Sequence, residues 1–236
     1  MPNKDAKKRP PLTTDRILRA AVDLVDRKGL DALTMRRLGT ELGVEAMSLY
    51  KHVANKEAIL DGIVEIVLGE IELPSEGAEW REAMRRRAIS AREVFSRHSW
   101  AIGLLEARDA MGPTALQYLN SVLGNLRSAG FSIENAAHAF WLLDSFVYGH
   151  VVHETSFPIS STEETTEPTR SMLEQITTNE YPHLVAMGEH ALTHEYSFDR
   201  EFEFGLDLIL DALGRLRLDV YDFMPTLRET PRPSQK

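Results

Sequence analysis

Cysteine is absent from the chain, which excludes disulfides, cysteine nucleophiles and thiolate metal sites. No apolar run approaches the ~18 residues that a membrane-spanning helix needs. The charged opening MPNKDAKKRPP leads into no apolar stretch of the kind a secretory leader carries, so no leader is expected. A glycine-rich phosphate loop, a G-x-S-x-G elbow and an H-E-x-x-H zinc motif are also missing. His153-Glu154 starts the last of these but lacks the second histidine. Strand-like alternation is missing too. What these absences favour is a soluble, cytoplasmic, all-α protein, with catalysis not expected.

Hydrophobic residues make up 43% of the 236, enough to bury a sizeable core. The net charge of -9 hides an uneven distribution: residues 1–56 carry +5 and residues 57–236 carry -14. A basic head on an acidic body predicts that only the head meets a polyanion.

Helical spacing runs throughout. Thr13 or Thr14 caps a first helix that Gly29 ends, and Thr34 caps a second over Met35–Leu42. Gly43 interrupts it, a short segment from Glu45 to His52 follows, and Asn55 caps a fourth helix. Leu73–Gly77 reads as a linker. Beyond it the spacing predicts helices over 80–97, 100–108, 113–129, 133–153, a weaker segment, 181–192, and a last long one. Glu154–Pro168, rich in Ser, Thr, Glu and Pro, reads as a mobile loop. The expected organisation is a basic arm (1–12), a three-helix helix-turn-helix unit with a connecting helix (13–72), a larger helical bundle (78–218) and a disordered tail (219–236).

The informative stretch is TMRRLGTELGVEAMSLYKHV, residues 34–53. A close helix crossing needs a small side chain, supplied by Gly39, and the turn between the helices favours Gly43. Leu38, Leu42, Val44, Leu49 and Val53 then pin both helices inward. Glu45, Ala46, Met47, Ser48, Lys51 and His52 are left facing out, where they either read a major groove or are merely solvated. The coincidence with the basic region and with Lys56 at a helix start favours DNA.

These residues resemble the TetR family of bacterial transcriptional regulators over Thr14 to about Gly62, through Leu38-Gly39, Leu42-Gly43-Val44, Leu49-Tyr50-Lys51-His52-Val53 and Asn55-Lys56-Glu57. Gly39 stands where members usually have alanine. The acidic body is similar, through weaker motifs, to the tetracycline-repressor type of C-terminal domain. The resemblance implies a homodimer on a palindromic operator in double-stranded DNA, released by an effector in the ligand-binding and dimerisation domain. By position, Arg36, Ala46 and Met47 lie nearest the base edges: Arg36 for guanine, Ala46 or Met47 for a thymine methyl. Thr34, Ser48, Tyr50, Lys51, His52 and Lys56 contact phosphates. Lys7-Lys8-Arg9 either adds a groove contact or is a solvated tail.

In the body, aromatic and methionine side chains serve either as core or as the lining of a cavity for a small hydrophobic or aromatic effector. The candidate lining is Trp80, Met84, Trp100, Met111 and Trp141, with His98, Gln117, Asn120, Asp144 and His150 as its polar part. His150, His153 and Glu154 share a helix face, as do His190 and His194, in spacings that suit a divalent metal or a plain helix end. No cofactor is expected. The stripe Phe198, Phe202, Leu206, Ile209, Leu210, Leu213, Leu216 and the two-faced helix at 133–153 are expected to form a four-helix dimer interface. Two other readings stay open: an activator or partner-controlled adaptor without a ligand, and, remotely, a helical-bundle metalloenzyme.

Overall fold

Side-chain caps open three of the first four helices in the computed structural model, which describes residues 11–75, 77–108, 110–156, 170–171, 173–176, 180–193 and 197–218. Lys7-Lys8-Arg9, most of the 154–168 loop, His194 and the tail from 219 lie outside the described residues. Thr13 accepts the Arg16 N–H at 3.2 Å and opens α1 (Thr14–Lys28). Thr34 does the same for Arg37 in α2 (Met35–Leu42), and Asn55 for Ala58, at 2.8 Å, in α4 (Lys56–Leu68). Each cap satisfies a donor that the first helical turn would leave open.

Between them, α2 ends on Gly43 at φ 69°, with Gly43 N–H on the Thr40 carbonyl and Val44 N–H on that of Gly39. This paired closure needs a left-handed residue, which is why glycine stands there. The next helix, α3, is only Ala46–Leu49, shorter than the segment expected from sequence; tighter turns carry the chain on through His52 and Val53.

The body contains α5 (Trp80–Arg97), α6 (Trp100–Glu106), α7 (Pro113–Ser128), α8 (Ile133–Ser156), α9 (Pro182–Thr193) and α10 (Phe198–Leu218). No strand occurs among the described residues. Helix α8 continues through Ser156, so the first residues assigned to the loop are helical. It packs on α5, α7 and α10, and α10 packs on α5 as well.

Two apolar cores meet on α4. Ile59 and Ile63 join Ile17, Leu24, Leu38 and Leu49 in the head, while Val64, Val67 and Leu68 join Met84, Phe95 and Leu143 in the body. A helix buried on both faces behaves as a shared beam between two units.

One expectation about α10 is corrected. Phe202, Leu206, Leu210 and Leu213 are buried against their own chain, because α10 lies on α5 and α8. Its outward face carries Phe204 and Leu208, and α8 exposes Trp141, Leu142 and Val152. These outward residues, not Leu210, are the surface open to a second copy.

Candidate functional site

The head leaves most of the predicted DNA-contacting residues accessible. Thr34, Arg36, Met47, Tyr50, Lys51 and His52 are exposed, and Ala46, Ser48 and Lys56 are half-buried. Met47 is 74% exposed, so its thioether is open to contact from outside the chain. The Thr14 hydroxyl donates to the His52 carbonyl at 3.1 Å and ties the turn after α3 to the start of α1. Lys56 stands at the first position of α4, where open backbone N–H groups and a lysine both favour an anion.

The α2–α3 crossing is closer than an alanine permits. A Cβ placed on Gly39 would lie 2.9 Å from the Val44 carbonyl oxygen and 3.2 Å from the Ala46 nitrogen. Both are backbone atoms, so neither moves without moving α3.

Behind the head, α4, α6, α7 and α8 line a half-open cavity of about 290 Å³. Val64, Glu65 and Leu68 of α4 form one wall; Tyr118, Phe140, Trp141 and Tyr148 supply aromatic surface. Of the residues that sequence suggested for an effector site, Met111, Trp141 and Asp144 line this cavity. The other seven lie elsewhere. Trp80 stands edge-on to Phe131 in the core, at 5.1 Å between ring centroids, and Met84 is fully buried. Gln117 and Asn120 point outward from α7. His150 packs among Phe146, Phe198 and Phe202, where burial first and then Arg92 push its pKa below the ordinary value.

His98 and Trp100 join head to body instead. The Trp100 Nε1–H donates to Asp26 Oδ1 at 2.6 Å, and His98 Nδ1 lies 2.8 Å from the same oxygen. Arg97, next to them, holds Glu70 at 2.9 Å.

Asp144 belongs to a buried ionic cluster behind the cavity wall, whose cation, Arg87, sequence reasoning missed. Arg87 of α5, 1% exposed, pairs with Asp144 of α8 and donates through Nε to the Tyr118 hydroxyl at 2.7 Å. Its guanidinium also lies 4.8 Å from the Tyr118 ring centroid. Removing either charge would leave the other buried without its partner. Arg87 sits in the run Arg85-Arg86-Arg87, which reads as solvated surface; its spacing of three from Met84 and four from Ala91 was the available signal.

Two carboxylates one turn apart on α4 fasten it to the cavity rim. Asp61 pairs with Arg108 at 2.5 Å, and Glu65 accepts the Thr114 N–H, at the start of α7, at 2.7 Å. Gly112 gives this carboxylate room: a Cβ there would sit 2.2 Å from it and make the Glu65 side chain shift.

No group of three or more possible metal ligands occurs among the described residues. Glu154 is held by Arg92, at 3.0 and 2.5 Å, and by Ser96. No helix among the described residues is long and apolar enough to cross a membrane.

Comparison with known proteins bears on both halves. The family described as "Bacterial regulatory proteins, tetR family" matches residues 17–63, and "Tetracyclin repressor-like, C-terminal domain" matches 73–216. An HTH-type transcriptional regulator of Saccharopolyspora erythraea is 37% identical over 155 residues, 65% of this chain and 66% of that one. The HTH-type transcriptional repressor DrrR1 of Streptomyces coeruleorubidus is 30% identical over 87% of this chain and 78% of its own. The crystal structure of Streptomyces coelicolor ActR in complex with actinorhodin superposes with a TM-score of 0.71 at 31% identity, covering 89% of this chain and all of that one.

Proposed function

The chain belongs to the tetR family of bacterial regulatory proteins, and from that premise we propose that it is a cytoplasmic repressor released from a palindromic operator by a small aromatic effector held in the 290 Å³ cavity. It is a DNA-binding transcriptional regulator that works as a homodimer, not an enzyme. One observation carries the reading: the DNA face and the cavity share α4. Lys56 begins that helix, and Val64, Glu65 and Leu68 form a cavity wall near its other end. A helix of 13 residues is a stiff rod about 20 Å long, so displacement at the cavity tilts the end that holds Lys56.

In this account Arg36, Ala46 and Met47 face base edges, and Thr34, Ser48, Tyr50, Lys51, His52 and Lys56 face phosphates. The exposure of the α3 face and the basic charge of the head support that division. Arg108 and Thr114 are the contacts through which an occupant displaces Asp61 and Glu65, and with them α4. The exposed apolar residues of α8 and α10 pair with those of a second copy, so displacement of each α4 changes the separation of two heads. The actinorhodin complex of ActR supports a small-molecule effector.

The test is a titration of the dimer with its own upstream region across a salt series, with and without a panel of aromatic compounds. Specific binding that one compound abolishes is the expected result. Lys56→Ala should weaken binding to all sequences alike and reduce the salt slope by about 1. An unchanged slope removes Lys56 from the phosphate contacts.

A further inference from the structure

We infer that the effector is a neutral planar aromatic molecule bearing a hydroxyl group, and that this hydroxyl donates to the buried carboxylate of Asp144. The inference rests on the cavity being the effector site. Asp144 is 4% exposed and lines the cavity, so whatever enters meets its carboxylate. Arg87 already balances its charge. Of the other charged lining residues, Glu65 holds the Thr114 N–H, Arg108 holds Asp61 and Glu106 is exposed to solvent, so the buried end of the cavity carries no unbalanced charge and a neutral molecule disturbs none of these pairs.

What the ion pair leaves open is hydrogen bonding. A carboxylate offers about four lone-pair directions. Oδ1 is taken by Arg87, with the Tyr118 hydroxyl at 3.4 Å. Oδ2 has one bond among the described residues, from the Tyr148 hydroxyl, also at 3.4 Å. Both are long for an O–H···O bond, which usually measures ~2.5–3.0 Å. Oδ2 therefore has only the long Tyr148 bond among the described residues, and an under-bonded buried acceptor is what a donor on a ligand would fill. Burial holds the Tyr148 phenol protonated well above its ordinary pKa, so it brings no second negative charge to the site.

The walls specify the rest of the molecule. Phe140, Trp141, Tyr118 and Tyr148 line the cavity together with Asp144, and Leu105 and Met111 add apolar surface. Such a lining takes a flat ring system. A site built to hydrogen-bond a hydroxyl rejects the analogue without it far more strongly than an apolar pocket rejects a missing methylene.

Equilibrium dialysis of the intact dimer against four fluorenes of one scaffold tests this: 2-hydroxyfluorene, 2-methoxyfluorene, fluorene-2-carboxylate and 2-(aminomethyl)fluorene. The hydroxyl compound should bind at least about tenfold tighter than each of the other three. Asp144→Asn should erase most of that preference. Because Asp144→Asn strands Arg87, Tyr148→Phe serves as the second variant: it removes the long bond to Oδ2, leaves the ion pair intact, and should keep or increase the preference. Equal binding of the methoxy compound, preference for either charged compound, or loss of preference in Tyr148→Phe overturns the inference. If no fluorene binds while another compound releases the operator, the inference falls and the effector reading stands. If no compound binds or releases the operator, both fall.

Discussion

Gly39 decides how closely the recognition segment approaches α2. Its carbonyl accepts the Val44 N–H at 2.9 Å, while its missing Cβ leaves room for the Val44 carbonyl. Alanine there pushes against backbone, and α3 is too short to absorb the shift by bending. Gly39→Ala should therefore lower operator affinity by about tenfold, equivalent to ~1.4 kcal/mol, with dimerisation unchanged. Wild-type affinity in Gly39→Ala would mean that the crossing relaxes freely. His150 makes a different prediction. It packs against aromatic rings and faces Arg92, Glu154 and His153 together with the Phe198 backbone, and its folded pKa lies below the unfolded value of 6.5. The unfolded chain thus binds the extra proton first, so stability falls as pH drops through about 6.5 and levels off below the folded pKa. Chemical denaturation of His150→Phe should show a flatter slope than wild type over that range. An identical slope would place the titrating group elsewhere.

At the scale of elements, α10 shows what periodicity reveals and what it conceals. The sequence places Phe202, Leu206, Leu210 and Leu213 on one stripe, and the structure buries that stripe within the chain. Phe204 and Leu208 form a second, sparser stripe that reads as incidental until α8 is set beside it with Trp141 and Leu142 exposed. Leu208→Glu should give a folded, helical monomer that no longer binds the operator. Leu210→Glu should instead unfold the body, since it places an unpaired carboxylate in the core. Size-exclusion chromatography with circular dichroism separates the two, and a dimeric Leu208→Glu would remove that face from the interface. The head was far more legible. Its caps at Thr13, Thr34 and Asn55 and its glycine at 43 act within a few residues, so a short window contains the cause and the effect. The cavity is the opposite case: Val64, Tyr118 and Asp144 converge from three helices, and no local pattern links them. An aromatic side chain has the same spacing whether it fills a core, as Trp80 does, or bridges two units, as Trp100 does. Arg87 stayed hidden because a basic run looks solvated until Asp144 is found opposite it.

At the scale of the whole molecule, charge and connectivity point the same way. The basic head is attracted to a polyanion that the acidic body repels, which orients the protein on DNA before any base is read. The head is joined to the body by α4, by Asp26 with His98 and Trp100, and by Trp100 and Leu104 packed against both cores. Such a joint transmits small displacements because packed surfaces shift between discrete arrangements and do not deform smoothly. Coupling of this kind is reciprocal: a compound that weakens DNA binding by some factor must itself bind more weakly to the DNA-bound dimer by the same factor. The most direct measurement is therefore a paired titration, operator affinity with and without a saturating compound and compound affinity with and without operator. The account predicts equal factors of about 5–150, the usual range for coupled sites. A compound that fills the cavity and leaves operator affinity unchanged would contradict it.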